Sequence, residues 1–88
     1  MKESKKLERV FKGVANHRRI DILVLIYKNP GIIVQGITDE LECNYKTVSE
    51  HTKRLVSAGL VDKKYIGQSV THHLSPYGEK IYKILKTF

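Results

Sequence analysis

The feature that most constrains the fold is a helix-forming stretch followed at once by two strand-forming stretches. Asn44 is a good helix N-cap, and apolar residues then recur at a helical period until Gly59, which can end a helix in the left-handed conformation. Residues 60–66 and 70–74 are strand-like, and Gly67-Gln68-Ser69 separates them. This order predicts a helix that leads directly into a β-hairpin. We call the hairpin, about residues 60–75, the wing.

A shorter helix is predicted just before this one. Ile37 and Leu41 lie one turn apart and face inward, and a brief turn through Glu42 and Cys43 leads to Asn44. Two helices joined by a tight turn form a helix-turn-helix, which we place at about 35–59.

Two amphipathic helices are predicted in the first third of the chain. The first has apolar residues at i, i+3, i+4 and i+7, namely Leu7, Val10, Phe11 and Val14. Asn16 caps the second helix, which must end before Pro30 because proline disfavours helical geometry in the residue that precedes it.

The β-branched residues at 32–34 predict a short strand that could pair with the wing.

A last helix, about 76–88, completes the predicted order. Ser75 can cap it, and Pro76 suits its first position. The fold class is therefore mainly α with a small antiparallel β-hairpin, in the order α-α-β-α-α-β-β-α, and residues 1–88 are expected to form a single domain. Apolar faces on both end helices predict a helix-helix dimer. The predicted dimerisation residues are Leu7, Val10, Phe11, Val14, Ile81, Ile84, Leu85 and Phe88.

The net positive charge of the chain indicates what kind of partner it could bind. The chain has 16 Lys and Arg residues against 9 Asp and Glu residues, a net charge of +7, part of which falls on the predicted helix and wing. Excess positive charge favours a polyanion only weakly by itself. The longest apolar run, residues 22–27, is too short to cross a bilayer, and no signal segment is evident, so a cytoplasmic protein without membrane contact is expected.

Several short strings, in this order and spacing, resemble winged helix-turn-helix regulators, and in particular the ArsR-like group. They are Val14-Ala15-Asn16-His17-Arg18-Arg19-Ile20-Asp21-Ile22-Leu23, Lys46-Thr47-Val48-Ser49-Glu50-His51 and Ala58-Gly59-Leu60-Val61. Leu74-Ser75-Pro76-Tyr77-Gly78 is also similar to MarR-like regulators, the second choice of family. The resemblance implies a sequence-specific transcriptional regulator of double-stranded DNA, and more often a homodimeric repressor than an activator. Its recognition helix, 44–59, would enter the major groove, and the wing would lie on the backbone or minor groove.

The side chains expected to contact DNA lie on the polar face of that helix and on the wing. They are Tyr45, Lys46, Thr47, Ser49, Glu50, Lys53, Arg54, Lys63, Lys64, Gln68 and Ser69. Lys46 could contact guanine acceptors and Ser49 could bond a base edge or the backbone, whereas the lysines and the arginine that follow suit phosphates. Tyr45 could instead pack on a neighbouring helix, and Glu50 could merely offset charge. Arg18 and Arg19 could reach phosphate or make a structural bond.

Metal and catalytic chemistry find little support. The stretch Ile33-Val34-Gln35-Gly36-Ile37 lacks the cysteine pair of ArsR-like metal sensors, and His72 and His73 point to opposite faces of a strand. No phosphate loop, nucleophile motif or paired carboxylates are evident, so no enzyme, metal or cofactor is predicted. The alternative function is a winged-helix interaction module that binds a protein partner, or binds nucleic acid through its backbone without reading sequence.

Overall fold

The computed structural model describes residues 2–88 and has a winged helix-turn-helix architecture. The helices are α1 (Lys2–Val14), α2 (His17–Lys28), α3 (Val34–Leu41), α4 (Tyr45–Ser57) and α5 (Pro76–Leu85), and the strands are β1 (Val61–Ile66) and β2 (Ser69–Leu74). The two strands pair antiparallel between α4 and α5. The predicted fold class and element order are confirmed.

The short strand predicted at 32–34 is reduced to one bridge. Ile32 pairs with His72 of β2, where the His72 amide donates to the Ile32 carbonyl at 3.1 Å and the Gly31 amide donates to the His72 carbonyl at 2.9 Å. Ile33 is the extended residue that precedes α3, and Val34 already belongs to that helix. A helix that begins so soon after the Pro30 turn leaves no room for further strand pairs.

The three predicted N-caps are confirmed. The Asn16 side chain accepts from the amides of Arg18 and Arg19 at 2.9 and 3.2 Å at the start of α2. Asn44 accepts from two amides of the first turn of α4 at 2.8 and 3.3 Å. Ser75 accepts from the third residue of α5 at 3.0 Å. Each cap satisfies amides that have no acceptor inside their helix.

Gly59 ends the recognition helix as predicted. Its φ is +79°, its amide donates to Val56, and the Leu60 amide donates to the Leu55 carbonyl, both at 3.0 Å. This pair of bonds is the Schellman arrangement, which needs a left-handed residue after the helix end. It turns the chain sharply, so that β1 starts beside the helix.

The core lies between α2 and the helix-turn-helix. The side chains buried most completely come from α2, α3, α4 and the start of the wing, and they include Ile22, Leu23, Ile26, Ile37, Val48, Leu55, Leu60 and Val61. The two end helices approach this core through glycines. A Cβ at Gly13 would overlap the Ala58 side chain, and a Cβ at Gly78 would overlap the Leu60 carbonyl. Glycine at these sites lets α1 lie directly against the end of α4, and lets α5 lie against Leu60 in the link between α4 and β1.

Candidate nucleic-acid interface

The buried side of α4 fixes which of its side chains face solvent. Val48, Thr52 and Leu55 are all buried, and a helix that buries these positions must expose the opposite side. The exposed side carries Lys46, Glu50, Lys53 and Arg54, together with Thr47. The predicted contact residues of α4 are thus brought together on one continuous polar face.

Two of the predicted contact residues lie at the edge of this face. Ser49 is half-buried, so that its hydroxyl lies near the boundary between the polar face and the core. Tyr45 is exposed at the first position of α4 and does not pack within the core. Thr52 is buried among the inward-facing residues of α4, and its hydroxyl donates to the Val48 carbonyl at 2.8 Å, which satisfies the polar group within the helix.

The turn between α3 and α4 contains a residue in an unfavourable conformation. Glu42 has a φ of +51°, and among residues 2–88 it is the only non-glycine with positive φ. The left-handed geometry lets the chain reverse between the two helices, and the Cys43 amide donates back to the Thr38 carbonyl at 3.3 Å. Cys43 itself is half-buried against the core.

The wing has a shorter loop than predicted. Ile66 pairs with Ser69, so Ser69 belongs to β2 and the loop consists of Gly67 and Gln68 only. Gly67 has a φ of +62°, as two-residue hairpin loops with a leading glycine require. Lys63 and Lys64 are both exposed and point to opposite faces of the wing.

Sequence reasoning missed two apolar side chains at the end of the wing. Tyr65 is 74% exposed and Ile66 is 64% exposed. Their residue types suit a strand that is half-buried, but the hairpin extends past the core, so neither side chain has a surface to cover it. Their exposure could have been predicted from their position just before the hairpin glycine, Gly67. Strand ends near a loop usually lie outside the core.

Arg19 joins the recognition helix to the first two helices. Its Nε donates to Nδ1 of His51 at 3.3 Å, and its Nη1 donates to the carbonyls of Lys12 and Gly13 at 3.1 Å each. Of the two roles proposed for Arg19, the structural bond is the one observed. Burial lowers the pKa of His51, and the neighbouring charges of Arg19 and Arg18 lower it further.

His72 anchors the wing to the body of the protein. It is only 2% exposed, and its Nδ1 lies 3.0 Å from the Ile32 carbonyl, to which it can donate. Burial lowers the pKa of His72, and the bond to Ile32 opposes this only partly. His73, on the other face, is hydrogen-bonded to Thr71 at 3.2 Å. Across residues 2–88 no cluster of three or more histidine, cysteine or carboxylate side chains could hold a metal ion.

The predicted dimerisation residues separate into two groups. Val10, Val14 and Ile81 are buried within the core of the chain, because the same faces of α1 and α5 pack on α2 and α4. Leu7, Phe11 and Ile84 remain 54%, 52% and 48% exposed. Leu85 is partly buried and Phe88 is fully exposed.

None of the helices in the described part of the chain is long and apolar enough to span a bilayer.

Comparison with known proteins agrees with this geometry. HlyU from Vibrio cholerae N16961 is similar to this chain with a TM-score of 0.86 and 29% identity, covering 98% of this chain and 94% of that one. The Mb0332 fragment from Mycobacterium bovis has a TM-score of 0.85 and 25% identity, covering 94% and 77%. It is described as a homodimeric winged helix-turn-helix DNA-binding domain and a possible ArsR-family transcriptional regulator. NolR from Sinorhizobium fredii, at 21% identity, 98% and 86% coverage and a TM-score of 0.85, supports the fold alone. No curated protein matches the chain.

The MarR family model matches residues 15–65, a segment that runs from the start of α2 through the helix-turn-helix into β1. This segment is more than half of the chain and contains the whole exposed face of α4. The prediction of a winged-helix transcriptional regulator is confirmed, with relatives on both the MarR-like and the ArsR-like side. The chain therefore belongs to the MarR family.

Proposed function

We propose that this protein is a sequence-specific, double-stranded DNA-binding regulator that represses transcription as a homodimer. The observation that carries the proposal is the exposed polar face of α4, held in a fixed orientation beside a basic wing. A helix of 13 residues is about 20 Å long and about 10–12 Å across, which suits a major groove about 12 Å wide.

The proposed base contacts lie in the first two turns of α4. Lys46 donates to guanine acceptors, Ser49 bonds a base edge or the backbone, and Glu50 accepts from a cytosine amine. Tyr45 stacks on a sugar or bonds a phosphate. The remaining contacts, Thr47, Lys53, Arg54, Lys63, Lys64, Gln68 and Ser69, position the protein on the backbone or touch the minor groove.

The wing tip extends this proposed contact surface. Tyr65 and Ile66 are exposed beside Lys63 and Lys64, so an approach that brings the lysines to phosphates also brings two apolar side chains to the groove. Apolar side chains in a minor groove can pack on sugars or wedge between base steps. We therefore add Tyr65 and Ile66 to the proposed contacts.

The proposed homodimer forms through the apolar side chains that the terminal helices leave exposed, chiefly Leu7, Phe11 and Ile84. The likeness to the Mycobacterium bovis domain, described as homodimeric, supports this assembly. A two-fold dimer presents its two recognition helices to an inverted repeat, with half-sites about 34 Å apart on one side of the duplex. Occupation of such a site within a promoter blocks transcription by occlusion.

Selection from random duplexes, followed by footprinting, tests the proposal. We expect an inverted repeat, and we expect Lys46→Ala to reduce affinity for it by about tenfold or more, because a good base contact contributes about 1–3 kcal/mol of discrimination. Ser49→Ala should relax specificity at one position of each half-site. Lys83→Ala, an exposed lysine on α5, is the matched control and should leave affinity and specificity unchanged.

Equal affinity for all duplexes, with no effect of Lys46→Ala, would contradict sequence-specific regulation. The interaction-module alternative would then be examined by salt titration. Backbone binding steepens the plot of log affinity against log salt by about 0.9 for each neutralised phosphate. A flat plot would point to a protein partner.

A further inference from the structure

A basic cleft lies where α1, α2 and α4 meet, beside the exposed polar face of α4. Its walls carry Arg9 and Lys12 from α1, Arg19 from α2, and Arg54 and Ser57 from α4. The cleft volume is about 190 Å³. Since one water takes up about 30 Å³ in the liquid, the cleft can hold a group several waters in size.

The positive charge of this cleft exceeds what its own surroundings neutralise. The single ion pair found among residues 2–88 joins Lys12 to Glu8 at 3.2 Å. Arg9 and Arg54 therefore have no carboxylate partner in the described chain. The C-terminal ends of α1 and α4 also face this region and together contribute about one negative charge equivalent. The four cations are Arg9, Lys12, Arg19 and Arg54. The Glu8 carboxylate and the two helix ends offset about two of these four charges, so the cleft keeps an excess of about two positive charges.

Arg19 makes structural bonds and Lys12 is paired with Glu8, so Arg9 and Arg54 are the cations that can bind a ligand. The Arg19 guanidinium donates to two carbonyls at the end of α1 and to His51 of α4. These bonds hold the base of the cleft in place. Arg9 and Arg54 are exposed at its rim, and arginine forks match the geometry of phosphate oxygens.

A nearby histidine reports the charge of this region. The pKa of His51 is lowered by burial and then by its neighbours on α2 and α4, of which Arg19, Arg18 and Arg54 are cations. The N-terminal turn of α2 bears Arg18 and Arg19 and no acidic residue, although a helix N-terminus disfavours positive charge. A bound anion would offset both unfavourable effects.

We propose that this cleft binds a phosphate group, held by Arg9 and Arg54 with Lys12 beside them. The phosphate belongs either to the DNA backbone or to a free phosphorylated small molecule. For the backbone source, the inference rests on the proposed function and extends the interface to α1, because Arg54 and Ser57 lie one and two turns beyond Glu50 on α4. For the free source, the cleft gives the protein an anionic ligand independent of DNA.

The first experiment titrates the protein with inorganic phosphate at constant ionic strength, kept with chloride, and follows the histidine ring signals by NMR. We expect phosphate to shift the His51 signal and to raise its pKa, with His73 of the wing as an internal control. The Arg9→Gln/Arg54→Gln double variant should lose the response. Lys83→Gln, which removes one charge far from the cleft, should keep it.

The second experiment measures duplex affinity against salt for Arg9→Gln and Lys83→Gln. When the occupant is a backbone phosphate, Arg9→Gln, which leaves the proposed Arg54 contact in place, lowers the slope of log affinity against log salt by up to about 0.9, and Lys83→Gln leaves the slope unchanged. A change of slope identifies the DNA backbone, and a response to inorganic phosphate without a change of slope identifies a free phosphate ligand. Both results support the cleft as a phosphate site.

The inference is overturned when the phosphate titration does not distinguish the double variant from Lys83→Gln and the salt slope does not distinguish Arg9→Gln from Lys83→Gln. Circular dichroism of the double variant confirms beforehand that it is folded, which the exposure of both arginines leads us to expect. Failure of the proposed function gives a different pattern. In that case the wild-type protein discriminates no duplex, while the phosphate titration still decides whether the cleft binds an anion.

Discussion

His72 is expected to make the stability of the protein depend on pH. Its imidazole is buried where the wing meets the turn before α3, and burial holds its pKa below the ordinary value of 6.5. Above pH 6.5 the side chain is neutral in both the folded and the unfolded protein, so its contribution is fully present. As the pH falls below 6.5 the unfolded chain binds the proton first, and the free energy of unfolding decreases.

The expected result is a lower free energy of unfolding at pH 5 than at pH 7.5, measured by urea denaturation. The slope for this histidine is at most about 1.4 kcal/mol per pH unit. His51 adds a change of the same sign, because its pKa is also lowered. His72→Gln should reduce the pH dependence, and Lys83→Gln, an exposed control on α5, should preserve it. An unchanged pH profile in His72→Gln would show that burial of this imidazole does not govern the effect.

Glu42 adopts an unfavourable left-handed backbone conformation in the turn between the two helices of the helix-turn-helix. A side chain in the left-handed region is unfavourable by about 1–2 kcal/mol relative to glycine, while glycine loses about 0.5–1 kcal/mol of chain entropy. Glu42→Gly is therefore expected to raise the free energy of unfolding by up to about 1 kcal/mol. Glu40→Gly, inside α3, is the matched control and should lower it by a similar amount. Destabilisation by both variants would refute the proposed strain at Glu42.

The residues that sequence reasoning placed correctly are those whose role depends on near neighbours. Asn16, Asn44 and Ser75 cap helices because each needs only amides two or three residues away. Tyr65 and Ile66 escaped notice because their exposure depends on how far the wing extends past the core, and that distance is set by tertiary packing.

At the scale of the element, the Asn44 cap controls how firmly the start of the recognition helix is held. Its side chain accepts from the Lys46 and Thr47 amides, which no helical carbonyl can reach. Asn44→Ala should lower the free energy of unfolding by about 1 kcal/mol and speed hydrogen exchange at these amides. Since Lys46 is a proposed base contact, looser ordering of this turn should also weaken duplex affinity.

Asn16→Ala is the reciprocal control for the Asn44 variant. It removes the equivalent cap of α2 and should speed exchange at the Arg18 and Arg19 amides, with a similar loss of stability. Each variant should affect its own helix start. Equal acceleration in both helices by either variant would mean that exchange follows global unfolding, and the local role of the cap would be excluded.

Elements with strong local signals are also the ones whose bounds agree with prediction. Helix α2 ends at Lys28 before Pro30, and α4 ends just before Gly59. The strand expected at 32–34 is limited to the bridge at Ile32, because α3 already begins at Val34. Helical periodicity and β-branched residues overlap there, and only packing decides between them.

At the scale of the whole molecule, packing between distant elements was beyond sequence reasoning. Gly13 and Gly78 have no turn to make, and their role is visible only once α1 lies against Ala58 and α5 lies against Leu60. The same packing decides which apolar side chains of the terminal helices are used internally. Val10 and Ile81 face the core, while Phe11 and Ile84 face solvent. Helical periodicity alone places all four on apolar faces and cannot separate them.

The last prediction concerns the proposed dimer. Phe11→Glu/Ile84→Glu places two charges on the exposed part of the terminal helices, where burial of an unpaired charge is strongly unfavourable. The variant should be monomeric at concentrations where the wild-type protein is a dimer, as measured by sedimentation equilibrium. Its circular dichroism should remain that of the wild-type fold. Affinity for the full inverted repeat should fall more than affinity for an isolated half-site, because one chain can contact only one half-site.

Tyr45→Glu is the matched control for the dimer variant, because Tyr45 is an aromatic residue of similar exposure on a different surface. It should keep the dimer, whereas Val10→Glu should unfold the protein because Val10 is part of the core. A dimer that survives the double change at Phe11 and Ile84 would place the interface elsewhere on the molecule. The groove between α2 and α5, lined by Val24, Leu85 and Phe88, would then be the next surface to test, because it is also an apolar concavity.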